Sequence, residues 1–307
     1  ANTVTSPITL ASELVINKNL TIQGPGANAL TVSGNNVTRI FYLLATTVVT
    51  IDGLKITQGN GVGAVSSGSG GGIFNDQGNL TLTNSTVTGN TANGGGSGGG
   101  INNLNGTLAI SRSTISNNTT SYYGSGIFNN GNAPAVLTLT DSTVRDNSTG
   151  GFRGGAIVNV AGQATVTNSA VFDNTSTGQG AGGLWNWIGG TLTLINSTVS
   201  GNTGNGYSGG ILNDGSTLTL TNCTVFGNRD IDSSSAFVAG GVGNTGGGTV
   251  TIKNTIVSNN TIGANNSNSD CAGAITSQGF NLIQTTSGAT ITPAQPTDIF
   301  GVGPLLG

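Results

Sequence analysis

The chain of 307 residues contains no histidine, no methionine, two cysteines, a single glutamate and eight lysine or arginine residues. Without histidine there is no imidazole for acid–base catalysis, no serine triad of the usual kind and none of the commonest zinc ligand. The few basic residues are scattered and the net charge is -3, so there is no electrostatic footprint for nucleic acid or an anionic membrane, and neither is expected as a partner. No run approaches the ~18 consecutive apolar residues of a membrane-spanning helix, and no basic segment followed by an apolar run opens the chain. A chain that begins at Ala1 and has no Met reads as a processed, exported one, secreted or at the cell surface. Two cysteines cannot staple a chain of this length. Cys223 stands where other copies of a repeat carry Ser and reads as a small buried side chain, while a Cys223 to Cys271 bridge stays open at this stage.

What is abundant is glycine, 54 residues, with Val, Ile and Leu set among Thr, Ser and Asn. That mixture favours strands and turns over helices. The segment "GGGIFNDQGNLTLTNSTVTGN" at Gly70 recurs with small changes. Its core residue is successively Ile73, Ile101, Ile127, Ile157, Leu184, Ile211 and Val242, at spacings of 28, 26, 30, 27, 27 and 31 residues, with an Asn two residues later each time. An alternating stretch follows, such as Leu80–Thr83, and then a shorter one whose Val or Ile, from Val87 to Val257, lies three residues before another Asn.

Three short strands recurring in fixed order at about 26–32 residues predict an all-β chain, a right-handed single-stranded parallel β-helix in which like residues stack on like. The Asn columns are expected at corners, donating and accepting along the stack and tolerating left-handed backbone. The Gly pairs are expected to supply positive φ before the first strand. One domain is predicted over 1–307: looser coils in 1–60, regular repeats in 61–262, and an irregular final coil and partial cap in 263–307. One coil buries too little to offset the entropy of ordering it, so stability must come from stacking.

The units "GGAIVN" at Gly154 and "VTGN", "VRDN", "VSGN" and "VFGN" elsewhere resemble the GGA[ILV] and FxxN motifs of polymorphic outer-membrane proteins, with Val in place of Phe. The closing "DCAGAITSQGFNLI" and "PLLG" resemble bacterial surface proteins of the choice-of-anchor β-helix type. The resemblance implies a pectin-lyase-like β-helix in an exported adhesin or surface protein. It also places a second Cys where Ala289 stands here, so it implies no local disulfide for Cys271.

Chemistry must then come from ten Asp and one Glu. Asp146 and Asp173 occupy the same repeat position on adjacent coils, about 5 Å apart by strand spacing, close to the carboxyl separation of retaining glycosidases. They are the catalytic candidates of a polysaccharide-active enzyme, set against a plain reading as turn residues. Asp230 and Asp232 alternate as a Ca²⁺ pair would, but no third acid is near in sequence; no metal or cofactor is expected. Outward Thr columns (Thr50, Thr81, Thr138, Thr165, Thr193, Thr219, Thr251; and Thr83, Thr140, Thr167, Thr221) resemble those of β-helical ice-binding proteins, with Ala109, Ser111, Ile195 and Lys253 interrupting them.

Aromatic residues follow the core position at Phe74, Phe128 and Trp185, with Trp187 beyond, and recur in the preceding loops at Tyr122, Tyr123, Phe152, Tyr207 and Phe237. Either the loops cover an outward apolar strip, or the strip is an exposed contact surface on which Trp185, Trp187, Phe128, Tyr123, Phe152 and Tyr207 meet a partner. The expected function is a non-enzymatic, extracellular structural or adhesive solenoid. Expected partners are further copies of itself, in end-to-end or lateral fibres, and glycans or a surface receptor; carbohydrate or ice binding is the alternative.

Overall fold

A computed structural model describes residues 5–131, 135–151, 153–232 and 238–304, and among these the regular elements are all β-strands. Among the described residues no helix is long and apolar enough to cross a membrane. The strands stack in parallel as a β-solenoid. One coil shows the plan: a first strand Ile73–Asp76, a second Asn79–Thr83 and a third Thr86–Thr88. These are the three expected strands. A two-residue fourth, Thr91–Ala92, is additional and recurs in the following coils, so that third strands build a 12-stranded sheet and fourth strands an 8-stranded one.

The register follows the repeat. Ile73 pairs with Ile101, Ile101 with Ile127, and so through Ile157, Leu184, Ile211 and Val242 to Cys271. Alternation along each second strand sends Leu80 and Leu82 inward and leaves Thr81 and Thr83 outside. Ile73, Leu80, Leu82 and Val87 are fully buried, and their counterparts form one aliphatic spine from Ile16 to Ile283. The outward Thr columns do stack in register, with Ala109 between Thr81 and Thr138.

The inward amides make two continuous ladders. Nδ2 of Asn75 donates to Oδ1 of Asn103 at 2.6 Å, and the relay continues through Asn129, Asn159, Asn186 and Asn213 to Asn244, which donates to the Ala274 carbonyl at 2.6 Å. In the second ladder the backbone NH and Nδ2 of Asn90 both reach Oδ1 of Asn118 at 3.0 Å, and the pattern repeats through Asn147, Asn174, Asn202 and Asn228 to Asn260. Buried polar groups are thus paired by repetition itself. A serine ladder runs beside them, each backbone NH donating to the next Ser Oγ at 3.1–3.2 Å from Ser85 to Ser197.

Two expectations about the corners need correction. The ladder Asn residues do not take left-handed backbone; the residue before each one in the second ladder does, at Gly89, Asn117, Asp146, Asp173, Gly201, Gly227 and Asn259, with φ from 53° to 64°. The Gly pairs supply positive φ only in part: Gly70 (φ +60) and Gly98 (φ +72) do, whereas the pairs before Ile157, Leu184, Ile211 and Val242 do not. A Cβ on Gly71 would stand 2.1 Å from the Gly99 carbonyl oxygen, so the second glycine lets successive coils approach.

The ends depart from the plan. Ile8–Thr9, Leu14–Ile16 and Leu20–Gln23 already stack on the next coil, pairing with Val32, Phe41 and Val49 among others. After Asn260, Thr261–Ile262 folds back antiparallel on Ser267–Asn268, and the seven-residue strand Cys271–Ser277 spans the places of a first and a second strand. Both cysteines are free and buried, which closes the question of a bridge.

Candidate functional site: an aromatic roof over the first-strand face

The outward position of the first strands is Phe74, Asn102, Phe128, Val158, Trp185 and Leu212 in successive register. In an uncovered solenoid these side chains would face water. Instead they are buried, Phe128 at 7% and Trp185 at 3% exposure, because the Gly-rich loops before each first strand fold over them. Phe128, Val158, Val160, Ala181, Trp185 and Leu212 form a second small core, with Tyr123, Trp187 and Tyr207 packed half-buried against it. Of the two readings of the strip, the covering loop is the one observed. Phe128 and Trp185 therefore pack against other side chains of this chain; Phe152, like Phe237, lies outside the described residues.

What remains at the surface is the roof. Trp185 and Trp187 project to the same side of the strand Leu184–Trp187, with Asn186 turned in to its ladder, and their rings lie 5.5 Å apart. Tyr123 stacks on Phe128 at 5.3 Å with rings 12° apart and reaches Trp187 at 6.0 Å; Tyr207 reaches Trp185 at 6.1 Å. The guanidinium of Arg153 lies over the Trp187 ring, 4.4 Å from its centre, a cation–π contact. Tyr122 stands against Tyr123 at 4.2 Å and is 39% exposed. Burial, then the neighbouring Tyr122, push the Tyr123 hydroxyl above the usual phenol range, while Arg153 pulls it back. Ile188, next to Trp187, is 53% exposed at φ +53, a costly backbone for a β-branched residue. Both tryptophans and three of the four tyrosines of the chain meet in this roof. It brings together flat apolar ring faces, a guanidinium and phenolic hydroxyls.

The acidic candidates are placed otherwise. Asp146 and Asp173 do occupy adjacent coils at one turn, with φ +55 and +54. The same place is held by Gly89, Asn117, Gly201, Gly227 and Asn259, the residue types that accept left-handed backbone. Asp146 is ion-paired with its neighbour Arg145 and Asp173 is exposed. Asp230 is fully buried and accepts the backbone NH groups of Gly206, Tyr207 and Asp232 at 2.8–3.0 Å, so it braces a loop instead of offering oxygens to a cation. Among the described residues, no group of three or more acids or thiols converges as a metal site.

Three features escaped the sequence reading. Arg39 is completely buried; it donates to Glu13 at 2.9 Å and to the carbonyls of Gly61, Val65, Ser66 and Ser69, and lies over the Phe74 ring at 4.9 Å. Asp270 ends the second amide ladder. Phe280 stands 64% exposed at a corner.

No family model matches the chain, and no curated protein matches it significantly. Among solved structures, the A-module of the mannuronan C-5 epimerase AlgE6 from Azotobacter vinelandii aligns over 95% of this chain and 89% of its own, with 14% identity and a TM-score of 0.29. A likeness at that level bears on neither activity nor substrate.

Proposed function

We propose that the chain is a non-enzymatic, extracellular structural or adhesive solenoid, whose task is to hold a stiff stack of coils and display contact surfaces along it. The observation that supports this most is the pair of amide ladders, unbroken from Asn75 to Asn244 and from Asn90 to Asn260, beside one continuous aliphatic spine. The buried Asn and Ser side chains are committed to joining each coil to the next. The candidate acids take a turn position interchangeable with Gly, which a catalytic pair would not share.

Self-association into fibres is part of this reading. Leu14, Val15 and Leu20, exposed at 42%, 51% and 39%, lie on strands at the leading edge of the stack, and an edge of that kind is a template for another chain. The test combines imaging with activity. Electron microscopy and sedimentation at increasing concentration are expected to show assemblies that Leu14→Lys with Leu20→Lys disperses; strictly monomeric particles throughout would remove the fibre role. Incubation with a panel of acidic and neutral polysaccharides is expected to leave them intact. Cleavage that disappears in Asp146→Asn or Asp173→Asn would instead make the chain an enzyme.

A further inference from the structure

A second surface lies on another part of the coil, at the corner between the second and third strands. There one residue per coil takes left-handed backbone and points its side chain into solvent. Asn168, Asn196, Asn222 and Asn254 occupy it on four successive coils, with φ from 47° to 55°. Their amides form an outer ladder: Asn196 donates to Asn168 at 3.2 Å, Asn222 to Asn196 at 3.0 Å and Asn254 to Asn222 at 2.8 Å. Each bond uses one of two Nδ2 hydrogens and one of two Oδ1 lone pairs, so Asn196 and Asn222 keep a donor and an acceptor for a ligand.

The next coil breaks the pattern. Leu282 pairs with Ile256, so the residue two before it, Phe280, takes the place of Asn254. Phe280 keeps the left-handed backbone, φ +61, with its NH on Thr297 Oγ1 at 3.0 Å, and its ring is 64% exposed. Left-handed backbone is unfavourable for a bulky side chain, and this ring recovers little by burial. It borders a groove of about 470 Å³ with Asn222, Thr224, Asn254, Ile256 and Ile299. A second hollow, about 520 Å³, opens at the same corner beside Asn168 and Asn196.

We propose that this corner binds a neutral oligosaccharide laid along the solenoid axis, its hydroxyls on the outer amides and one sugar ring against Phe280. Four lines of chemistry point to that ligand class. A polyol needs alternating donors and acceptors, which a row of primary amides supplies one per coil. The apolar face of a pyranose ring fits an exposed aromatic ring. The corner residues from Asn168 to Phe280 are themselves uncharged; the nearest charges are Asp141, which lines the second hollow and accepts from the Asn168 amide at 3.2 Å, and the exposed Lys253 before Asn254, one of each sign, so no cluster of basic residues is there to hold a polyanion. The strands flanking the corner already pair with the coils before and after them, so a peptide finds no free strand edge there. The proposal goes beyond the rod reading and can fail with the rod intact, because assembly is read by sedimentation and this site by ligand titration.

The test is calorimetric titration of the full chain with cellohexaose, xylohexaose, mannohexaose and laminarihexaose, with hexagalacturonate and glucose as controls. At least one neutral hexamer is expected to bind, glucose far more weakly, and titration should shift the side-chain amide resonances of Asn222 and Asn254. Phe280→Ala should weaken binding about three- to tenfold, as loss of one aromatic contact does, and Phe280→Tyr should retain it. Thr224→Trp, which puts a bulky side chain into the groove from the other side, should abolish binding while the chain stays folded, as read from an unchanged circular dichroism spectrum. The proposal is overturned if no neutral hexamer binds at about 10 mM, which corresponds to a binding free energy of only about −2.7 kcal/mol. It is equally overturned if both substitutions leave binding unchanged, or if hexagalacturonate binds best. Loss of self-association in Phe280→Ala without any sugar binding would assign the groove to a second copy of the chain and end the proposal.

Discussion

Asn260 places both its backbone NH, at 3.0 Å, and its side-chain amide, at 2.8 Å, on one carboxylate oxygen of Asp270, so a ladder of seven amides ends on an acid. The other oxygen accepts the Thr285 NH at 2.7 Å. An interior rung must accept from the coil before and donate to the coil after; the last needs only to accept. Asp270→Asn would turn an NH2 group toward either Asn260 or Thr285, both donors. The expected cost is about 1–3 kcal/mol, that of one buried unsatisfied group, read from urea denaturation. Asn147→Asp, inside the ladder, should cost more, since it loses the donors to Ile115, Arg145 and Asn174 and buries a charge. If the two substitutions cost the same, the terminal acid has no special match to its place.

Asp230 makes stability depend on pH. Burial pushes its carboxyl from 3.8 up to about 6, against the pull of the Gly206, Asp232 and Tyr207 NH groups. The folded chain then holds this proton more tightly than the unfolded chain between about pH 4 and pH 6, so stability falls as pH rises through that window and is level above it. The difference is on the order of 2–3 kcal/mol, since a tenfold change in proton affinity is worth about 1.4 kcal/mol. Burial raises Asp270 in the same direction. Denaturation of the native chain and of Asp230→Asn at pH 4 and pH 7 isolates the effect: the substituted chain should lose most of this slope. An unchanged slope would show that Asp230 does not titrate in the window.

The stack itself was legible because a parallel solenoid writes its register directly into the sequence: residues that meet are residues that repeat. Ile73 over Ile101 and Asn103 over Asn129 needed no more than spacing. Alternation also assigned Phe128 and Trp185 to the outer side of their strands, but it cannot say what lies above that side, and loops of variable length do. The Asp270 rung was hidden because it follows Asn260 by ten residues where earlier rungs are a full coil apart. The equivalence of Phe280 with Asn254 was hidden in the same irregular final coil. Glu13 and Arg39 meet across 26 residues of the least regular part, where no pattern links them.

The two cysteines should respond differently to serine. Cys223 takes a rung of the serine ladder, its Sγ donating to the Thr221 carbonyl at 3.2 Å and accepting from the backbone of Ser197. Cys223→Ser restores the ladder residue and should change stability by less than about 1 kcal/mol, a value within the ordinary strength of one hydrogen bond. Cys271 stacks on Val242 in the aliphatic spine, fully buried. A hydroxyl there has lost its water, so Cys271→Ser should cost about 1–3 kcal/mol. Burial raises both thiols above their usual range, and Cys271 the more, so neither should label with a thiol reagent until the chain unfolds. Fast labelling of the folded chain, or equal costs for the two substitutions, would contradict these placements.

The Arg39 to Glu13 pair closes the leading coils. Arg39 is 0% and Glu13 6% exposed at the side chain, and the second Glu13 oxygen accepts the Ala64 NH at 2.7 Å, which ties the loop around residues 61–69 to the first coil. Desolvation pulls the guanidinium below its usual range and Glu13 pulls it back. Removing one partner of a buried pair leaves the other uncompensated, at about 3–5 kcal/mol. Each coil contacts chiefly its neighbours, so the damage from Glu13→Gln should stay local. Hydrogen exchange is expected to accelerate at residues 39–43 and 61–69 while the amides near Ile157 and Leu184 keep their protection. Uniform acceleration along the chain would mean that the solenoid unfolds as one unit and that the pair supports the whole stack, not its first coils.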